Sequence, residues 1–270
     1  MLKIQASKAL VLKTVVSLVP SITETICDFG HQNLLAGVTN FCMYPKGLNK
    51  VCEIIGGTKD PSIDKIRELS PDIVFVNAEE NKPEHIEKIN AFSNVVVTDV
   101  KLVKDVPVLF EQIEQSLGST AESTSYKNKL VSLLSNLNNQ KTNMDRVVCF
   151  IWKDPWLAAS RDTYISDVLG YYGLENVCEP DLEKGEAGRY PELSPDMIET
   201  LDPDSFLFST EPWPFRKRDV AVFREITKSK KPCYKVDGKT LSWYGSSTVN
   251  AIEKALLFSE QGYSMFERIE

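Results

Sequence analysis

The chain has 270 residues, 42% hydrophobic and 26% charged, with 31 Lys and Arg against 38 Asp and Glu for a net charge of −7. That composition belongs to a globular chain with room for one large domain or two lobes, and its acidic balance argues against a nucleic-acid protein. Fourteen Pro and 13 Gly are too few for a collagen-like or low-complexity chain, and no window approaches the roughly 18 uncharged apolar residues of a membrane span.

Lysines interrupt every apolar stretch in residues 1–13, leaving neither an apolar leader nor a small-residue cleavage site. As written, the chain is expected in the cytoplasm; with a leader ahead of it, it would belong in the periplasm or at the cell surface. A first strand is expected over residues 14–19. Pro20 follows, then a helix with Ser21 as N-cap and Glu24 reaching back. Strands are expected over 34–38 and 51–55, the second stopped by Gly56-Gly57. Asp60-Pro61 opens a helix to residue 69, Pro71-Asp72 leads into the strand 73–76, and Asn81 with Glu84 caps a helix to about residue 91. A strand at 94–98 and a helix at 106–117 follow. Strands alternating with helices predict an α/β fold with largely parallel sheets. Ser119 and Glu122 form another capping box, and the helix they open is expected to reach about residue 141.

The pattern then restarts. A shift of 132 residues lays 14–19 on 146–151 and 62–79 on 194–211. In the second overlay Ser62/Ser194, Asp64/Asp196, Ile66/Ile198, Leu69/Leu201, Pro71/Pro203, Asp72/Asp204 and Glu79/Glu211 are identical pairs. The duplication predicts two Rossmann-like lobes, residues 1–118 and 142–270, joined by one long backbone helix over 119–141. Open α/β sheets bind ligands beyond the carboxyl ends of their strands, so a ligand cleft is expected between the lobes.

The segments after the strands are where chemistry is expected. All four tryptophans, Trp152, Trp156, Trp213 and Trp243, fall in them. Each could cap the core of its own lobe; as a set they suggest aromatic walls for a flat, apolar ligand. Glu79, Glu80 and Glu211 could be read as paired catalytic carboxylates, but the repeat puts Glu79 and Glu211 in equivalent positions on separate lobes. Gly56-Gly57-Thr58-Lys59 lacks the full phosphate-loop spacing and is read as a turn. His31 and His85 lie in different segments, so no metal site is expected. The six cysteines form no CxxC pair and are expected to be buried free thiols.

Several of these segments resemble one family. Val16-Ser17-Leu18-Val19-Pro20-Ser21-Ile22-Thr23-Glu24-Thr25 is similar to the opening of class III substrate-binding proteins, the helical-backbone metal receptors, and most of all to their cobalamin-binding branch. Gly37-Val38-Thr39, Cys42-Met43-Tyr44-Pro45, Gly56-Gly57-Thr58-Lys59, Leu69-Ser70-Pro71-Asp72-Ile73-Val74, Thr163-Tyr164-Ile165-Ser166-Asp167-Val168-Leu169 and Tyr190-Pro191-Glu192-Leu193-Ser194 extend the match in order along the chain. The resemblance implies a non-catalytic, monomeric protein that hands a corrinoid such as cobalamin, a haem or a metal chelate to the permease of an ABC importer, with no intrinsic cofactor. A leaderless, cytoplasmic corrinoid-handling factor or enzyme on the same scaffold is the alternative. The candidate ligand residues are Pro20, Ser21, Phe41, Cys42, Tyr44 and Glu79 in the first lobe, and Trp152, Trp156, Trp213, Trp243 and Tyr244 in the second. Glu84 is the candidate for docking on the transporter.

Overall fold

A computed structural model describes residues 13–136 and 144–269. The chain runs β1 (Val15–Ser17), α1 (Pro20–Asp28), β2 (Leu35–Val38), β3 (Glu53–Ile54), α2 (Ile63–Glu68), β4 (Ile73–Asn77), α3 (Pro83–Asn90), β5 (Asn94–Thr98), α4 (Val106–Leu117) and α5 (Ala121–Asn136). It continues with β6 (Asp145–Trp152), β7 (Leu157–Ala159), α6 (Tyr164–Tyr171), β8 (Leu174–Asn176), α7 (Pro195–Leu201), β9 (Ser205–Ser209), α8 (Lys217–Thr227), β10 (Cys233–Val236), α9 (Gly238–Ser242), α10 (Ser246–Gln261) and β11 (Glu267–Arg268).

Contacts divide the chain into two units. The first runs up to Thr98 and adds Gln112–Ser119; the second takes Asp99–Glu111 and everything from Thr120. The expected partition differed, with a helix at 119–141 standing between the lobes. In the structure α5 packs on α10 inside the second unit, where Lys129 pairs with Glu253 at 2.8 Å. The helix that the division splits is α4. The expected end of the long helix, near residue 141, lies outside the described residues.

The first unit holds a parallel sheet in the order β3-β2-β1-β4-β5. β1 and β4 are buried along their whole length, as parallel strands covered on both faces must be. β5, at the edge, is mostly half-buried or exposed. The second unit's sheet runs β11-β10-β9-β6-β7, with β8 also pairing β6. Its centre is parallel, while the edge strands β7 and β11 are antiparallel. The mixed α/β architecture with parallel sheets is the expected one.

The 132-residue repeat is structural. β1 pairs β4 as Val15↔Ile73 and Val16↔Val74, and β6 pairs β9 as Val147↔Ser205 and Val148↔Phe206. Asp72 accepts the Thr14 amide at 2.7 Å, and Asp204 accepts the Arg146 amide at 2.8 Å. Ser62 and Ser194 cap α2 and α7 through their hydroxyls. The two pairs of strands thus lie in equivalent positions of separate sheets.

Three expected caps differ. α1 begins at Pro20 with Val19 as N-cap, so Ser21 lies inside the helix and is buried. Proline fits the first helical position because the N–H it lacks has no partner there. α3 is flanked by Lys82 without a side-chain cap; Asn81 instead accepts the Asn77 amide at 2.8 Å. At α5 the reciprocal bonds join Thr120 and Ser123 rather than Ser119 and Glu122. All six cysteines are free thiols, and all but the half-buried Cys27 are buried. Among the described residues no helix is long and apolar enough to cross a membrane.

Candidate functional site

In the first unit the segments beyond β1, β2 and β4 gather the candidate residues. Pro20 and Ser21 open α1, and the Ser21 hydroxyl is buried with no hydrogen-bond partner among the described residues. Beyond β2 the chain alternates. Thr39 and Cys42 turn inward, whereas Phe41, Met43 and Tyr44 are 56%, 64% and 38% exposed. The Cys42 thiol lies 3.2 Å from both Thr23 Oγ1 and Thr39 Oγ1, and burial raises its pKa. Cys42 is thus a buried thiol that also forms part of a cavity wall. A cavity of about 400 Å³ opens beside this segment, lined by Thr39, Asn40, Met43, Lys46, Leu48 and Ile54 among others.

Beyond β4, Asn77 folds the turn by accepting the amides of Glu79 and Glu80 at 2.9 and 3.1 Å. Lys59 donates to the Glu79 carbonyl at 2.7 Å, and Asn81 donates to the Thr58 carbonyl at 2.9 Å. The Gly56-Gly57-Thr58-Lys59 turn is thereby fastened to the segment that carries Glu79. Asn77 was not singled out from sequence, although an Asn directly after a strand is a turn signal; Asn81 was read as a helix cap and Lys59 as part of a turn. Glu84 is exposed in the first turn of α3.

In the second unit β6 runs on into Trp152, which is 36% exposed and meets Trp213 edge to face, centroids 5.3 Å apart. Trp213 rests on the lobe core, and its indole nitrogen is buried without a partner among the described residues. The Trp156 ring stacks on Phe215 at 6.0 Å and meets Phe150, Phe208 and Phe223 edge-on at 5.8, 6.5 and 5.4 Å. It is half-buried and packs against the aromatic core, as Trp213 does. Tyr244 is buried, edge-on to Tyr164 at 5.9 Å.

Next to Trp152 in the chain, Lys153 forms an ion pair with buried Asp219 at 3.1 Å. Burial pushes the Asp219 carboxyl up, but the Arg216 amide and Lys153 outweigh it and hold the pKa below the usual carboxylate value. Trp243 follows α9; its indole N–H donates to Glu211 Oε2 at 3.0 Å, and Lys239 Nζ lies 5.1 Å from its ring centroid. Lys153, Asp219 and Lys239 were not singled out from sequence. Asp219, three residues after the helix-flanking Arg216, carried the only local signal.

Each unit thus presents exposed or half-exposed aromatic surface beyond its strands: Phe41 and Tyr44 in the first, Trp152 and Trp243 in the second. Among the described residues, no group of three or more His, Cys, Asp or Glu is gathered to hold a metal.

Residues 15–230 match the family model described as "Periplasmic binding protein". A curated relative, the uncharacterized ABC transporter substrate-binding lipoprotein YvrC of Bacillus subtilis (strain 168), is 21% identical over 206 residues, 72% of this chain and 63% of the relative. The chain therefore matches under two thirds of that relative's length. Among solved structures, the periplasmic vitamin B12 binding protein BtuF of Vibrio cholerae is similar with a TM-score of 0.75 at 16% identity, covering 92% of this chain and 97% of that one. A periplasmic heme binding protein from Pseudomonas aeruginosa is similar with a TM-score of 0.76 at 16% identity, covering 96% and 95%.

Proposed function

Because the chain belongs to the periplasmic binding protein family, we propose that it is a non-catalytic binding protein for a corrinoid or another planar metal chelate, delivering it to the permease of an ABC importer. That role would place it on the outer side of the cytoplasmic membrane. The observation that carries the ligand class is the exposed aromatic surface beyond the strands, with Trp152 braced edge-on by Trp213. Covering one face of an indole removes about 100 Å² of apolar surface, worth roughly 2–3 kcal/mol before ordering costs. A flat macrocycle offers matching area. The similarity to vitamin B12 and heme binding proteins supports the same class.

The experiment is a visible-absorption and thermal-shift titration with cyanocobalamin, cobinamide, haemin and a ferric siderophore. Saturable binding of one of the first three, with a rise in melting temperature, is expected. Binding of none of them, or of the siderophore alone, would overturn the planar-ligand reading.

A further inference from the structure

We propose that Glu211 is a positioning residue that fixes the ring of Trp243 for ligand contact; the inference rests on the binding function proposed above. Glu211 lies between β9 and α8, Trp243 just after α9, and the indole–carboxylate bond of 3.0 Å ties the two segments together. A charged acceptor makes this bond stronger than one to a neutral group. Lys239, one turn back on α9, accepts the Trp243 amide through its carbonyl at 3.0 Å and sets its ammonium 5.1 Å from the ring centroid. The indole is thus held at its edge and against a cation.

The backbone beneath is equally determined. Ser209 Oγ accepts the Glu211 amide at 3.3 Å and Thr210 Oγ1 accepts the Gly238 amide at 2.8 Å. A Cβ on Gly238 would stand 2.5 Å from the Glu211 nitrogen, so only glycine lets α9 approach this closely. The Glu211 backbone turn has a counterpart at Glu79, whose amide is bound by Asn77. The shared turn accounts for the repeated backbone shape. It does not call for the carboxylate–indole bond, because the strand registers offset the halves by 138 residues beyond β5 and β10, which sets Asp105 rather than an aromatic residue at the position equivalent to Trp243. A side chain ordered before the ligand arrives spares the cost of ordering it on binding, an effect of about three- to ten-fold in affinity.

The test uses the full chain with cyanocobalamin and haemin as probes. The variants are Glu211→Ala, Glu211→Gln, Trp243→Phe and the double variant Glu211→Ala/Trp243→Phe. Glu211→Ala should weaken the bound probe about three- to ten-fold, and Glu211→Gln, which keeps a carbonyl acceptor, should restore most of it. In the Trp243→Phe background, where no indole N–H exists, Glu211→Ala should cost nothing more. The near-UV circular dichroism should differ between Glu211→Ala and Glu211→Gln only while Trp243 is present. An equal loss in both backgrounds, or an unchanged affinity in Glu211→Ala, overturns the positioning role. Wild-type affinity in Trp243→Phe overturns the place of Trp243 in the site instead. Failure of the wild type to bind either probe or cobinamide overturns the proposed ligand class, and the positioning role with it.

Discussion

Replacing Trp156 with alanine separates a core role from a ligand role. Its ring meets four phenylalanines, Phe150, Phe208, Phe215 and Phe223, with centroids between 5.4 and 6.5 Å. Removing a core Trp costs about 3–5 kcal/mol; Trp156 is half-buried, which places the expected loss near the lower end, about 3 kcal/mol. At about 2–4 °C per kcal/mol for a domain of 150–250 residues, the second unit should melt roughly 6–12 °C lower. Circular dichroism melts and urea titrations measure this loss. Haemin or cyanocobalamin titrations well below the transition then report binding by the folded fraction, which should stay near wild type. A variant that melted within about 2 °C of wild type but no longer bound ligand would refute the argument, because the indole would then be acting as a wall rather than as core.

Trp152→Ala is expected to do the opposite: binding about ten-fold weaker in the same titration, with the melting temperature nearly unchanged, since the ring is 36% exposed. Asp219→Ala should cost about 3 kcal/mol in urea denaturation, because it strands Lys153 beside a lost carboxylate. The folded-state pKa of Asp219 is depressed, so its stabilisation is present above the unfolded-state value and lost as pH falls through the lower native one. Wild-type urea midpoints should therefore drop more steeply than those of Asp219→Asn below about pH 4. Gly238→Ala should destabilise by about 1–3 kcal/mol in urea, since its Cβ would meet backbone at 2.5 Å. Ser62→Ala and Ser194→Ala should each cost up to about 1 kcal/mol in the same assay, as equivalent caps of α2 and α7.

What could be read from sequence followed the strength of the local signal. β5 and α4 have the bounds expected for them, because apolar runs flanked by polar breaks define both. The repeat was legible because Asp72 and Asp204 each hold the amide that leads into the central strand of its sheet. The edge strands β7 and β11, three and two residues long, carry too few positions for a period to show. Ser21 looked like a cap because Ser21 and Glu24 have capping-box spacing, which outweighed the local sign that Pro20 suits the first helical position. The tryptophans were ambiguous for a deeper reason. An indole in a post-strand segment suits a core or a wall equally, and what decides Trp156 is the approach of Phe215 and Phe223 from distant sequence. The burial of Cys42 was not legible because its partner Thr23 sits nineteen residues away, on α1.

The buried thiols turn the molecule into its own pair of stopwatches. Burial lifts Cys149 and Cys178 to about 12 and raises Cys42 and Cys52 as well. With the pKa raised by burial, little of each thiol is the reactive thiolate at pH 8, and its sulfur is out of reach besides. An alkylating reagent therefore reads how often each site opens rather than how fast it reacts. Cys42 and Cys52 belong to the first unit, and Cys149, Cys178 and Cys233 to the second. The sheets of the two units share no strand, so one labelling time course, resolved by peptide mass, follows the opening of both halves in a single tube. A ligand that closes either half would slow only the thiols beneath its grip.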